Sequence, residues 1–192
     1  MDATYNPSPP KDGLVIRVNA KVLSGYDKPR NDHERAMHDA ISRDNLWVWK
    51  SEQDSIARGE IPQTVARRFA RYHLVDNTRG EPPMWKSHEV KRIEMKLDGS
   101  KLTGEFELQT DDGKRRYVGK LLGLVESKDG RVTRFDVVAK GTFRGHGRYT
   151  QRPPKGDFPV AIAFTLADMK DVADNIPPQG SRGWVRGYRQ AK

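Results

Sequence analysis

The clearest hydrophobic pattern lies between about residues 90 and 166, where apolar and polar positions alternate strictly. Its first run places apolar side chains at Ile93, Met95 and Leu97, between charged neighbours. Alternation with a period of two is typical of half-buried strands, and an Asp-Gly pair between two such runs predicts a hairpin. Three such pairs occur here: Asp98-Gly99, Asp112-Gly113 and Asp129-Gly130. The stretch therefore predicts an antiparallel β-meander.

Weaker patterns precede the meander. Alternation from Leu14 predicts a first strand through Leu23, and the apolar run Leu46–Trp49 predicts another. A helix over 32–43 is predicted from helical spacing, with Asn31 or Asp32 as its cap. A second helix over 62–71 is predicted to begin at Pro62, because proline favours the first helical position.

Two short segments leave the element type open. Residues 51–60 are polar and fit either a loop or a helical turn, and Tyr72–Val75 fits either a helix end or the start of a strand. Trp47 and Trp49 are two residues apart, so both point to one side of their strand. Core packing is the preferred interpretation for them, and a sugar-stacking or small apolar ligand site is the alternative.

These elements predict a mainly β fold with two short helices. The short turns favour an antiparallel meander that forms a closed or partly closed β-barrel, with an open β-sandwich as the alternative. The expected organisation is a polar, proline-rich tail over 1–12, one domain over 13–168, and a basic extension over 169–192.

Composition restricts the classes of function. The chain has no cysteine, which excludes disulfides, thiolate nucleophiles and cysteine-ligated metals. No apolar run approaches the ~20 residues of a membrane helix. The first residues do not have the pattern of a signal peptide, which leaves a cytoplasmic protein or a mature or truncated chain that has lost its export signal.

The net charge of +9 is concentrated in two segments. Residues 140–156 carry five basic residues and no acidic one, and residues 177–192 carry four more, again with no acidic one. The rest of the chain is balanced. Clustered charge produces a stronger local field than a uniform excess, so the two segments are candidates for a polyanion surface.

Both segments interleave arginine, glycine and aromatic residues. Arginine gives bidentate contacts to phosphate, and aromatic rings offer stacking faces. The predicted polyanion-binding cations are Arg144, Arg148, Arg152, Lys155, Arg182, Arg186 and Arg189, and the predicted aromatic contacts are Phe143, Tyr149, Trp184 and Tyr188. Solvated or structural arginines are the preferred interpretation, because charge clustering alone carries no specificity.

A histidine–carboxylate site is a further hypothesis. His73 or His146 with Asp76 could provide a general base, but no nucleophile elbow accompanies them. His33 and His38 are five positions apart, about 140° around a helix, so they do not form the two-histidine zinc motif. The sequence has no calcium loop and no phosphate loop, and we predict no metal and no cofactor.

Three functions remain. The first and preferred one is a non-catalytic binding or interaction domain that contacts its ligand with loops at one end of the barrel. The second is a binder of nucleic acid or another anionic polymer, and the third is a hydrolase that uses a His/Asp pair. An anionic polymer or a protein is the expected kind of partner, and the sequence leaves the ligand and the oligomeric state open.

Overall fold

A single antiparallel sheet organises the molecule. The computed structural model describes residues 7–80, 83–150, 152–181 and 185–191. Within them the strands follow the order β2-β1-β7-β6-β5-β4-β3. Their bounds are β1 (Leu14–Val22), β2 (Asp44–Val48), β3 (Val90–Asp98), β4 (Lys101–Gln109), β5 (Arg116–Lys128), β6 (Arg131–Arg144) and β7 (Asp157–Leu166). The predicted mainly β class is confirmed.

The meander has the predicted hairpins. Asp129 and Gly130 form a two-residue turn in which both φ angles are positive, at 51° and 74°. That geometry matches the twist of the flanking strands and favours Asp-Gly. On the outer face of the first hairpin, Arg92 Nη2 lies 2.8 Å from Glu105 Oε2 across the strands. Folding alone therefore explains these charges as cross-strand pairs.

The sheet curls into a half-barrel and stays open. The edge strands β2 and β3 do not pair with each other, and the described residues contain no second sheet. The predicted closed barrel is therefore not confirmed, and the alternative of a sandwich is not observed. A physical reason is that helical segments cover the concave face and pack against β3. These segments occupy space that β2 and β3 would need in order to pair with each other.

The helices are short and lie mostly between β1 and β3. They are α1 (Asp32–Asp39), α2 (Lys50–Ala57), α3 (Gln63–Arg68) with a π-helical turn (Phe69–His73), and a C-terminal α4 (Val185–Gln190). Short 3₁₀ turns cover Ser87–Glu89, Val172–Asn175 and Gln179–Ser181. None of the helices in the described ranges has the length and apolar character needed to cross a membrane.

Two helix ends differ from the sequence prediction, and one segment that the sequence left open is helical. The first helix ends at Asp39 instead of residue 43, although Asn31 caps it as predicted, with its side chain accepting from Glu34 N at 2.9 Å. The undecided segment 51–60 is largely helical, because Gln53 and Ile56 bury one face. The π turn extends through His73, so the predicted helix over 62–71 continues there and Tyr72 does not begin a strand.

The core fills the concave face of the sheet. Phe69 stacks on Phe164 with ring centroids 4.1 Å apart, so the π turn packs against β7, an interior strand of the sheet. Trp47 and Trp85 are also fully buried. Burying a large apolar side chain contributes roughly 1.5–3 kcal/mol, so these contacts attach the helical layer to the sheet.

An ion-pair cluster joins the C-terminal segment to β1 and the start of β2. The side chain of Asp174 is fully buried and accepts from Arg17 Nε at 2.9 Å and from Arg43 Nη2 at 2.5 Å. The hydrogen bond from Arg17 holds the pKa of Asp174 below its ordinary value, against the opposing effect of burial. The C-terminal segment is therefore tied to the domain through this carboxylate.

Acid should weaken this attachment. A carboxyl group whose pKa is lowered by folding stabilises the protein above its unfolded pKa of about 3.9, and this contribution is lost as pH falls through the folded pKa. We expect Asp174→Asn to be less stable near neutral pH and to lose less stability on acidification. Urea unfolding at a series of pH values measures both effects. The exposed Asp98→Asn is the control, and equal acid slopes for Asp174→Asn and the wild type would contradict the expectation.

Candidate functional site

The basic loop after β6 is largely neutralised by the chain itself. Arg144 Nε lies 2.5 Å from Asp157 Oδ1 on the neighbouring strand. Arg152 contacts the buried carboxylate of Glu34, and Lys155 Nζ lies 3.6 Å from Asp27. The guanidinium of Arg148 lies 5.6 Å from the centre of the Tyr149 ring. Three of the four predicted polyanion contacts in this loop therefore already face carboxylates.

The predicted stacking residues are not grouped on one surface. Phe143 and Tyr188 are buried at 3% and 1% exposure, so their rings have no face for a ligand, whereas Tyr149 is exposed. Arg186 and Arg189 are exposed on α4, where the guanidinium of Arg189 lies 5.3 Å from the centre of the Trp49 ring. Arg182 and Trp184 lie outside the described residues.

His73 lies at the centre of a buried polar chain. Its Nε2 is 2.8 Å from Tyr188 Oη, and its Nδ1 is 3.2 Å from Asp44 Oδ2 without a well-aligned hydrogen bond. Tyr188 Oη accepts from Trp47 N at 3.3 Å, which leaves its own proton free to donate to His73. A proton on Nδ1, with Nε2 accepting from Tyr188, fits these contacts. His73 is only 2% exposed, so neither ring nitrogen faces solvent.

The predicted pairing of His73 with Asp76 does not form. Asp76 Oδ1 accepts from the Thr78 hydroxyl at 2.7 Å, and Asp76 Oδ2 contacts the guanidinium of Arg79. His146 lies on the loop after β6, where its Nδ1 is 3.0 Å from Gly147 O. The three residues of the histidine–carboxylate hypothesis thus lie in separate environments, and the carboxylate beside His73 comes from β2.

Arg68 completes the attachment of α4. This arginine is fully buried, donates to Arg189 O at 2.5 Å and contacts Glu52. Its guanidinium also lies 4.9 Å from the centre of the Trp49 ring and 5.8 Å from that of Tyr188. A buried cation needs such partners to offset its desolvation. The polar chain around His73 is therefore part of an anchor for the C-terminal helix.

A cleft remains where the sheet fails to close, between α3 and the β3 edge. This open-side cleft has a volume of about 750 Å³, and its apolar lining is Ile61, Ala66, Ile93, Met95, Gly104, Leu121 and Leu122. Its charged lining is balanced, with Glu94, Glu105, Lys96 and Lys120. On the concave face of β3, Ile93, Met95 and Leu97 are only half-buried, unlike the core residues Leu102 and Phe106 on β4. Gly104 also lines the cleft, and an added Cβ there would meet Glu94 O and Leu121.

A smaller basic recess adjoins this cleft. The two spaces share Gln63 and Ile93, and the recess has a volume of about 290 Å³. Its charged lining is Arg67, Arg71, Lys91 and Arg92, with no acidic side chain among the lining residues. Arg71 Nε donates to Trp85 O at 2.9 Å, while its Nη1 is buried without a hydrogen-bond partner. The recess can therefore accept an anion.

Sequence reasoning identified the strands around the cleft but not the cleft itself. The alternation at Ile93 and Met95 shows which face of β3 points inward. The same alternation would occur whether or not other elements pack over that face. Helical spacing over 62–71 predicts Arg67, Arg68 and Arg71 on the outward face. The structure instead buries Arg68, and the packing of α3 against β3 makes Arg67 and Arg71 lining residues. No local signal in the sequence reports that packing.

The described residues show no metal centre. No group of three or more histidine, cysteine, aspartate or glutamate side chains could hold an ion within them. We take the open-side cleft together with the basic recess as the candidate site.

Comparison of the chain with protein-family models, with curated proteins and with solved structures finds no match in any of the three.

Proposed function

We propose that the protein is a non-catalytic binding domain for an anionic amphiphile. The apolar part of the ligand occupies the open-side cleft, and its carboxylate or phosphate group enters the basic recess. The observation that carries the proposal is that the two spaces adjoin, with Gln63 and Ile93 lining both. A concave apolar site with a few convergent polar groups is the usual form of a small-molecule site.

The size of the cleft supports a small molecule. Its volume of about 750 Å³ lies within the ~300–1,000 Å³ typical of ligand sites. Half-burial leaves Ile93 and Met95 in partial contact with water, so an apolar chain placed against them removes apolar surface from water. That transfer is favourable by roughly 25 cal/mol per Å². The ligand thus completes the apolar cover that the open sheet lacks.

The charges in the recess support an anion. Arg92 is already engaged by Glu94 and Glu105, at 2.8 Å each, and Lys91 Nζ lies 3.7 Å from Asp111. Arg71, in contrast, keeps one buried donor group without an acceptor. An unsatisfied buried donor is costly, and a carboxylate or phosphate oxygen would satisfy it. We therefore assign Arg71 the main contact with the anionic group.

A fluorescent fatty acid, dansylaminoundecanoate, tests this proposal. We expect saturable binding to the full chain, and its uncharged methyl ester should bind at least about tenfold more weakly. Met95→Glu should weaken binding of the acid by a similar factor, because it places a charge where the apolar chain lies. Arg71→Gln should weaken binding of the acid more than binding of the ester. Fluorescence titration measures all of these affinities.

Matched variants distinguish binding in the cleft from nonspecific binding. Val138 is exposed on the convex face of the sheet, so Val138→Glu adds the same charge away from the cleft. Arg131→Gln is the matched control for the recess. Equal losses from Met95→Glu and Val138→Glu would contradict the proposal, and so would equal affinities for the acid and the ester. Urea midpoints of all the variants show whether each is folded.

A further inference from the structure

A second, polar pocket lies near the other edge of the sheet, beside β2. This tail pocket has a volume of about 400 Å³. It lies between residues 42–45, the loop at residues 77–80 and the C-terminal segment 173–179. The open-side cleft is lined by β3, β4 and β5 instead, so the two spaces share no lining residue. The tail pocket therefore needs its own explanation.

Asn45 presents an unused acceptor at this pocket. Its Nδ2 donates to Ala173 O at 2.7 Å and to Ile176 O at 2.9 Å. Exchanging the two ends of the amide would direct its oxygen at two carbonyl oxygens, so the hydrogen bonds fix its orientation. Asn45 lines the pocket and is only 2% exposed. Its Oδ1 is buried without a hydrogen-bond partner. A buried acceptor of this kind requires a donor.

Asp44 adds a carboxylate beside that acceptor. Its Oδ1 accepts from Asn45 N at 2.8 Å and from Gln179 N at 3.0 Å, and the residue retains 9% exposure. A carboxylate offers about four lone-pair sites, so further donors can be accepted. Asp44 thus brings a negative charge to the lining of the pocket, and its Oδ2 lies 3.2 Å from His73 Nδ1.

The surrounding ion pairs do not reverse this sign. Arg43 lines the pocket, but its two terminal nitrogens are held by Asp171 at 3.3 Å and by Asp174 at 2.5 Å. Asp174 is shared with Arg17, which also contacts Asp168. The cluster thus contains two guanidinium groups and, with Asp44, four carboxylates. The charged residues that line the pocket itself are Arg43 and Asp44, and the excess of carboxylates lies in the ion pairs around Arg43.

We propose that the tail pocket binds a small organic ammonium ion, whose N–H groups donate to Asn45 Oδ1 and to the Asp44 carboxylate. The pocket volume of about 400 Å³ far exceeds the ~30 Å³ of one water, so it has room for the carbon skeleton of the ligand. The ammonium supplies the donor that Asn45 lacks and pairs with the Asp44 carboxylate. The ligand would also contact the segment that leads to α4.

Titration of ¹⁵N-labelled protein with butylammonium chloride tests the site. At constant ionic strength we expect saturable NMR shifts at the side-chain amide of Asn45 and the backbone amide of Gln179. Butanol has a similar shape without the charge and should bind at least about tenfold more weakly. Butyrate should cause no shifts at these two groups. Equal responses to butylammonium and butanol would overturn the proposal, and so would an Asn45 oxygen that binds only water.

Two variants locate the binding. Asp44→Asn keeps the shape of the side chain and removes its charge, so butylammonium affinity should fall at least about tenfold. Because this change also affects the contact with His73, a second variant leaves Asp44 intact. Asn77→Trp fills the pocket from its rim and should abolish the shifts, whereas Gln109→Trp, remote from the pocket, should not. Unchanged affinity in Asn77→Trp would place the ion elsewhere and overturn the proposal.

Discussion

Replacement of Tyr188 by alanine should release the C-terminal helix and cost about 3–5 kcal/mol of unfolding free energy, the usual range for a buried aromatic residue. The Tyr188 ring is fully buried, with its centroid 5.0 Å from that of Tyr72 and 6.2 Å from that of Trp49. Its hydroxyl joins Trp47 N to His73. Alanine favours a helix more than tyrosine does, so a loss must come from packing and hydrogen bonding.

Tyr188→Phe separates these two contributions. It keeps the ring and removes the hydroxyl, which leaves Trp47 N and His73 Nε2 without their partner. We expect a smaller loss of about 1–3 kcal/mol, the cost of buried unsatisfied groups. Urea unfolding gives both values, and limited proteolysis shows the release of α4. Gln190→Ala, on the exposed side of the same helix, is the control, and equal stability of Tyr188→Ala and Gln190→Ala would contradict the anchor.

Trp85 is the second position at which we expect a large effect. Its indole is fully buried and donates from Nε1 to Leu74 O at 2.8 Å. The guanidinium of Arg115 lies 3.8 Å from the centre of the ring, and burial lowers the pKa of that arginine. The ring thus covers a buried cation, whose partners within the described ranges are Pro83 O at 2.6 Å and the more distant carboxylate of Glu89 at 3.8 Å.

We expect Trp85→Ala to cost about 3–5 kcal/mol, because it creates a cavity and leaves Leu74 O unpaired. Trp85→Phe should cost less, since a ring remains below Arg115 and only the N–H donor and part of the volume are lost. Chemical denaturation measures both, with the exposed neighbour Lys86→Ala as the control. A Trp85→Ala variant as stable as Lys86→Ala would show that the indole is not required.

Local patterns predicted the meander well for a physical reason. Each hairpin from β3 to β6 pairs two strands that are adjacent in sequence. The alternation of the strands and the Asp-Gly pair between them are therefore enough to predict the hairpin. The position of β1 beside β7 has no such local signal, because alternation marks the inward face of a strand but not its neighbour. Closure could not be predicted either, since it depends on how the helices pack against β3.

The candidate sites show the same limit. The sequence pairs His73 with the nearby Asp76, whereas the carboxylate beside it in the structure is Asp44, from β2. The basic loop was identified from charge clustering, and its cations turned out to face Asp157, Glu34 and Asp27. Sequence shows which groups carry charge, whereas their partners are determined by tertiary contacts.

The order of the strands also has a consequence for protein synthesis. β1 pairs with β2 on one side and with β7 on the other, and Val22 lies opposite Val160. A ribosome synthesises β1 first and β7 last among the strands, so one hydrogen-bonding edge of β1 stays open while most of the chain is made. Exposed edges can pair wrongly, and contacts between distant residues form slowly. We therefore expect the nascent chain to be prone to incorrect strand pairing at this edge of β1 until β7 emerges from the ribosome.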